Sequence, residues 1–582
     1  MTVRRDQSPW KPPGGSVRRS RGLHPRPQMF LAVGTIRCIL AIWPHAYGRE
    51  VVRAVHGGLL LLKGSPMENR VDAMQNGLSR RDFLGYSSLG LLGAALPGST
   101  LSALPGAPQT NPLFERKLGI KFVLGGMVHE TAHEGPCRTG RLEHLTRQAE
   151  TRSFEQRFSR FTVEIKSRQF PKEAEILKPV GFQMLVREKD VDFHFPEKYF
   201  AQIQEDISRT DLIVVLSGFA SDIALKLAER FGKPVATIGN DWVVDVPATL
   251  RHKGHEGHIA LDWEDFDHLV RMLWVRKAFS LTKLLIVTDR FGEAPFGLAS
   301  AIYDFDQLRD LYGMRYHCVS NRRLTQEMDA VIGSEDGQKE AGRIAKDLMA
   351  NARAVHMKQE HVVGSVNFYL AVKALMKRHG CNAFTIECRE ICPLEIAAAY
   401  QFTPCMTLSV LKDQGYPAVC QTDINALIPM MALSYLGRRS VYMGNPVFDA
   451  KNNILTIFHD VAGLKMKGFD ASASSYELRN FSVGGWGVTF RYDFSADEGQ
   501  IVTIARANPG QTKILLAKGE ILDGFGVDRI GCSLGVRIKL AETLRLFRHA
   551  ADFGAHFVMA YGDYTGQMQD LGRIVGFDLV VV

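Results

Sequence analysis

From about residue 110 onward, short β-branched runs alternate with helix-length segments, and no other feature of the chain restricts its fold as strongly. KFVLGGMV (121–128), DLIVVLSG (211–218), KPVATIG (233–239) and LLIVTD (284–289) are short and mostly apolar. A helical pattern, DIALKLAERFG, follows the second run, and helical patterns flank the fourth. Parallel neighbours can be reached only through a crossover, so strands alternating with helices predict βαβ units and parallel sheets. In such sheets ligands gather beyond the carboxyl ends of the strands, where Asn240, Asp241 and Asp289 fall.

After about residue 440 the texture changes. ILTIFHDV, SYELRNF, GVTFRYDF, GQIVTIAR and KILLAKGEIL are short strand patterns with glycine and asparagine between them. They predict an antiparallel or barrel-like region, followed by a helix over 537–551 and a last strand, HFVMAYGD. The expected fold class is α/β, with two Rossmann-like parallel-sheet domains (110–265 and 266–415) and a C-terminal β-rich, barrel-like domain (416–582).

Composition excludes several classes. With 46% hydrophobic and 23% charged residues, the chain is too apolar for disorder, and it has no uninterrupted apolar run of about 18 residues for a membrane bundle. The net charge of +9 is misleading. Residues 1–81 hold 14 of the 71 basic and 4 of the 62 acidic residues, which leaves 57 against 58 in the rest. The body therefore carries no electrostatic footprint for nucleic acid.

The basic segment reads as an address. Arg80 and Arg81 precede Phe83, Leu84 and a glycine-rich apolar run, Gly85 to Leu96. This resembles a twin-arginine (Tat) export signal over 67–109. It implies the Tat translocase as a partner and a periplasmic or extracytoplasmic location. Residues 1–66, rich in Arg, Pro and Gly, read as a disordered or non-native extension, with translation starting at Met67 or Met74.

Several motifs bear on chemistry. His129-Glu130-Thr131-Ala132-His133 matches HExxH, which binds zinc when a helix sets both imidazoles on one face. Here it follows a strand and precedes Glu134-Gly135-Pro136, which stops a helix, so a strand-end loop is expected. His252, His255, Glu256 and His258 have spacing that could hold a metal, or form a solvated loop. Of nine cysteines, Cys381, Cys388, Cys392, Cys405 and Cys420 are bunched without paired C-x₂-C units. They read as buried core thiols, with Cys405 and Cys420 a candidate disulfide pair. Asp423 and Asn425 precede a strongly apolar helical run, Ala426 to Leu436, where an acid is also a simple N-cap.

The stretch 403–447, IFHDV (457–461) and the ending HFVMAYGDYTGQMQDLGRIVGFDLVVV (556–582) together resemble the L-fucose/L-arabinose isomerase superfamily, and more closely its Tat-exported branch. The likeness spans roughly residues 115–582, with its specific motifs mainly after 380. It implies two Rossmann-like domains, a C-terminal β-rich domain, a homo-oligomer and a sugar substrate. It also implies a divalent ion, usually Mn²⁺, that stabilises an enediolate while a carboxylate moves the proton. Carried over by position, Asp423 is a metal ligand and proton-transfer group, and His556 is the histidine ligand. Cys405 stands nearest the first carboxylate, with Glu387, Glu390 and Glu395 upstream as substitutes. His459, Asp460, Asn425 and Asp563 are candidate substrate contacts, although a turn role for Gly562-Asp563 is also open. Gln421 and Phe481 stand where relatives carry a carboxylate and a histidine, so the ligand set is incomplete. The function expected is that of an exported, carbohydrate-acting relative of metal-dependent aldose–ketose isomerases. A non-catalytic carbohydrate-binding relative is the alternative, and a metallohydrolase at His129 and His133 the third reading.

Overall fold

The β-branched runs form two separate sheets of mainly parallel strands in the structure, a computed structural model that describes residues 111–582 except 130–132, 135–143, 188–191, 217–219, 291–299, 301 and 392–394. Met67, Met74, Arg80, Arg81, Glu130, Thr131, Ala132 and Cys392 lie outside the described residues. The first sheet runs in the order Asp192–His194, Val180–Arg187, Leu118–His129, Leu212–Leu216, Val235–Ile238, Gly257–Ala260, and Ala174–Ile176 also pairs with Leu118–His129. Its pairs are parallel except the one made by the edge strand Asp192–His194. Side chains alternate between two cores. Ile213 and Val215 meet Val123, Phe182 and Leu227 on one face, while Leu212 and Val214 meet Phe122, Phe161 and Phe266 on the other. Burial on both faces explains an unbroken apolar run where a half-exposed strand would alternate.

The second sheet is parallel throughout, in the order Arg315–Val319, Lys283–Val287, Ala383–Ile386, Ala418–Cys420. Just beyond the strand carboxyl ends come Thr288 and Asp289, Asn321, Glu387, and the Gln421-Thr422-Asp423 turn. Glu390 ties this edge together, accepting from Thr288 Oγ1 at 2.8 Å, Asp289 N at 2.9 Å and Asn321 Nδ2 at 2.8 Å.

The C-terminal region closes into a six-stranded antiparallel barrel. Ile501–Ala507, Phe557–Tyr561, Tyr442–Asp449, Ile454–Phe458, Gly535–Leu540 and Lys513–Phe525 pair in turn, and the last pairs back with the first. Helix Ile424–Gly437 is buried along most of its length and packs against Ile501–Ala507, Phe557–Tyr561 and helix Trp263–Ser280. A helix that is apolar all round belongs inside a core, and here it links the second sheet to the barrel.

Three expectations need correction. The helix expected over 537–551 begins only at Thr543, because Gly535–Leu540 is a strand. Its Val536, Ile538 and Leu540 are buried while Arg537 and Lys539 are more exposed, a period of two that belongs to a sheet. SYELRNF and GVTFRYDF form a hairpin that pairs with Ala354–Val355 and stays outside the barrel sheet. HFVMAYGD is not the last strand, since helix Thr565–Val575 and strand Asp578–Val581 follow, the latter parallel to Lys513–Phe525. Among the described residues, no helix is long and apolar enough to cross a membrane.

Candidate active site

Asp423 ends the turn after strand Ala418–Cys420 and begins helix Ile424–Gly437. Its Oδ1 accepts from Ala426 N at 3.0 Å, so it is the helix N-cap. It is also more than that. Arg506 Nη1 donates to both carboxylate oxygens at 2.7 Å, and His556 Nδ1 lies 2.8 Å from Oδ2. Asp423 and Arg506 have fully buried side chains, and His556 is 3% exposed. The structure thus brings Asp423 and His556 together across 133 residues of sequence, and adds an arginine. Burial alone would raise the Asp423 carboxyl. The Arg506 guanidinium and the His556 bond outweigh it and hold that carboxyl below its usual value.

The backbone here is strained. Gln421 (φ 59°), Thr422 (φ 50°) and His556 (φ 67°) all occupy the left-handed region without being glycine, an arrangement that costs about 1–3 kcal/mol per residue and collects at functional sites. The surroundings fix the turn. Thr422 Oγ1 donates to Glu387 Oε2 at 2.9 Å, and Arg389 holds Glu387 through Nε and Nη2 at 2.6 Å each.

The two histidines are hydrogen-bonded in opposite senses at Nδ1. His556 turns Nδ1 to the Asp423 carboxylate, which can only accept, so in its neutral form its lone pair is on Nε2. His459 Nδ1 accepts from Asp460 N at 3.0 Å, so its proton is on Nε2. Burial holds His459 well below the ordinary imidazole value, which keeps it neutral, and any positive charge on His556 or Lys412 pushes it in the same direction. The ring centroids are 5.6 Å apart. Among the described residues, neither Nε2 has a hydrogen-bond partner.

The remaining predicted site residues fall elsewhere or are engaged. Asp460 makes a fork-to-fork pair with Arg491 at 2.7 and 2.8 Å and accepts from Ser533 N and Leu534 N at 3.1 and 3.0 Å. That closed arrangement contradicts a sugar-contacting role. Cys405 is buried, and burial with the nearby Asp460 charge pushes its thiol up to about 12. A thiol so firmly protonated is not a base near neutral pH. It is also not in a disulfide with Cys420, which is free and has its Sγ 3.5 Å from Cys388 Sγ. Asn425 bonds to Ile302 O at 2.6 Å and Gln511 at 3.2 Å. Asp563 caps the turn into helix Thr565–Val575, accepting from Thr565 N at 3.0 Å and pairing with Lys518 at 3.0 Å. It lies at the opposite end of strand Phe557–Tyr561 from His556, roughly 20 Å away, so it is a turn residue. Of the upstream carboxylates, Glu387 and Glu390 have the partners given above, and Glu395 is exposed.

The two other motifs resolve similarly. His129 ends a strand and His133 sits in a two-residue strand, so no helix presents both. Glu256 is held by His258 at 2.6 Å and Arg276 at 2.5 Å. A cavity of about 700 Å³ lined by Phe170, Arg271, Trp274 and Tyr435 opens at the other end of helix Ile424–Gly437, roughly 20 Å from Asp423 at 1.5 Å per residue.

The donors at Asp423 do not fit a divalent ion. A carboxylate has about four lone-pair positions, and here Ala426, His556 and Arg506 fill them, the last bonding to both oxygens. Asp423 and Arg506 are paired at 2.7 Å and together carry no net charge, so the guanidinium cancels the attraction that the carboxylate would otherwise offer a divalent ion. Among the described residues, no group of three or more His, Cys, Asp or Glu side chains is arranged to hold a metal.

Sequence reasoning missed Arg506 and Arg491. The signal for Arg506 was present: in IVTIARA it shares the period-two face of Val502 and Ile504, both fully buried. A charge on that face needs a buried partner.

No family model matches the chain. Two curated proteins, from Priestia aryabhattai and Priestia megaterium, are each 25% identical over 327 residues, which is 54% of this chain and 67% of each relative. Both are named sulfoquinovose isomerase. The chain is similar to sulfoquinovose isomerases. A third such protein, from Alkalicoccus urumqiensis, is 25% identical over 308 residues, 50% of this chain and 63% of its own length.

Proposed function

We propose that this chain is a sugar isomerase in which His556 and His459 carry the protons between C1 and C2 of an open-chain aldose. The observation that carries this reading is the opposite hydrogen-bonding of the two buried imidazoles, one with its Nε2 lone pair available and the other with Nε2–H available. The likeness to sulfoquinovose isomerases supports the reaction class.

The steps follow from that pairing. His556 Nε2 takes the proton from C2, while Asp423 on Nδ1 fixes the tautomer and stabilises the cation formed. The C2–H electron pair becomes the C1=C2 bond, and the carbonyl π electrons move to O1, which takes a proton from His459 Nε2. The enediol then collapses the other way: His556 returns its proton to C1, O2 becomes the carbonyl, and the O2 proton restores His459. No oxidant or reductant enters. Burial holds His459 in the neutral form that its step needs.

The test is to incubate the purified chain with sulfoquinovose and with a panel of neutral aldoses in deuterated water. Ketose formation with deuterium at C1 or C2 is expected for at least one of them. Binding of a sugar with no ketose from any aldose would reject isomerisation and favour the carbohydrate-binding alternative. Export through Arg80 and Arg81 is part of the same proposal: changing both to lysine should leave the precursor in the cytoplasm, and unchanged export would remove it.

A further inference from the structure

We infer that Arg506 is the resident cation of this site, holding Asp423 through Nη1 and presenting Nη2 to an oxyanion of the open-chain sugar. Three observations converge on it. Arg506 is fully buried, with Nη1 on both Asp423 oxygens at 2.7 Å and on His556 O at 3.4 Å, and Nε on Phe553 O at 3.1 Å. Its Nη2 is buried and has no partner. The same Asp423 carboxylate that Nη1 grips also orients His556, so the guanidinium is joined directly to the group that takes the C2 proton.

The guanidinium is a planar fork that matches paired oxygens and stays charged at any physiological pH. With one nitrogen fixed on Asp423, the fork cannot turn to satisfy Nη2 elsewhere without giving up that grip. Asp423 and Arg506 together carry no net charge, so an approaching oxyanion meets a donor without meeting an uncompensated carboxylate. During isomerisation the negative charge that develops on O1 sits against Nη2 until His459 supplies its proton. That is a preorganised donor aimed at charge that exists only in the transition state. It fills the charge-stabilising place for which the family resemblance implies a divalent ion, and it explains why the donor set around Asp423 leaves no lone pair for one.

The inference rests on the isomerase reading, and the experiment separates the two. The probe is an aldonate, an open-chain sugar acid whose carboxylate imitates adjacent enediolate oxygens. Its binding to the full chain is measured by calorimetry with and without a strong chelator, alongside elemental analysis of the protein. Binding is expected to persist in chelator, without a stoichiometric divalent ion, and to weaken at least tenfold in Arg506→Met. Arg506→Lys keeps the charge but lacks Nη2. It should also bind less tightly, and it serves as the reading should Arg506→Met fail to fold. One equivalent of Mn²⁺ with aldonate binding abolished by chelator would overturn the inference, as would unchanged affinity in either variant. Arg506-dependent aldonate binding in a chain that turns over no aldose would uphold the inference and remove the isomerase reading.

Discussion

Two buried arginine–aspartate pairs lie in the C-terminal half of the molecule, and they are built differently. Arg491 meets Asp460 with both terminal nitrogens, and two backbone amides complete the carboxylate. The Arg491 terminal nitrogens also reach the carbonyls of Gly526 and Gly531 at 3.4 and 3.1 Å, which leaves only its Nε without a partner. Arg506 instead meets Asp423 with one terminal nitrogen, shares the carboxylate with an imidazole, and leaves its other terminal nitrogen unpartnered. The first pair has nothing at its tips to offer a ligand. The second has a donor, and a base coupled to it. Burial and charge alone would rank the two alike; what separates them is which hydrogen-bonding positions remain open.

The sharpest way to break this contrast is to remove the base. His556→Ala should lower kcat by about 10²–10⁴-fold with the denaturation midpoint little changed, measured on the same preparation. Loss of fold in proportion to loss of rate would make the Asp423 pair as structural as the Asp460 pair. The converse variant is Arg491→Met. Breaking a buried pair strands the other charge, at about 3–5 kcal/mol, so urea unfolding should show a loss of that size with any surviving activity normal per folded molecule. A variant that kept its stability but lost turnover would move Asp460 back into the site, as first expected.

How much of this was legible beforehand depends on the distance over which each signal acts. The parallel-sheet strands were readable because burial on both faces leaves local apolar runs, as in Leu212–Leu216. The barrel strand Gly535–Leu540 was legible in principle through its alternation, but the charges at Arg537 and Lys539 broke the run and hid it. The hairpin Tyr476–Asn480 with Val488–Tyr492 was readable as strands yet not as leaving the barrel, because its partner Ala354–Val355 is only two residues long. The meeting of Asp423 with His556 was reachable only through family resemblance, since nothing local to either residue names the other. Arg506 could be flagged from its face of the strand, but its partner depends on barrel closure and on the helix packed against it, and neither is written in a one-dimensional pattern.

Lys412 sharpens the comparison from the side of a buried amine. It is 3% exposed, and burial lowers its amine to about 7, with the neighbouring Asp413 charge opposing that shift. Its Nζ donates to Val461 O, and the Asp413 carboxylate is engaged by Ser440 and the amides of Leu464 and Lys465. Between pH 7 and the unfolded value near 10.5 the unfolded chain binds the extra proton, so stability should rise with pH there, by up to about 1.4 kcal/mol per unit. Lys412→Met should flatten that rise, as read from urea midpoints across the range. An unchanged slope would mean that Lys412 stays charged when folded, paired to Asp413 as Arg491 is to Asp460.

The smallest effect belongs to Asp563, and it tests the boundary of the site. Its carboxyl is held below the usual value by Thr565 N, then by the Thr565 hydroxyl and by Lys518, and it is 39% exposed. These are the contacts of an Asx-type turn just ahead of the helix, whose N-cap is Tyr564; losing such a hydrogen bond costs about 1 kcal/mol, with the exposed lysine pair adding little. A carboxyl with a depressed folded value stabilises the fold above its unfolded pKa and loses that contribution as pH falls through the folded one. Asp563→Ala should therefore be slightly less stable than the parent at neutral pH and equal to it in acid, with kcat and KM for the sugar unchanged. A raised KM at full stability would place the sugar at the far end of strand Phe557–Tyr561, some 20 Å from His556. No single hexose spans that distance, so such a result would move the binding site away from both arginine pairs.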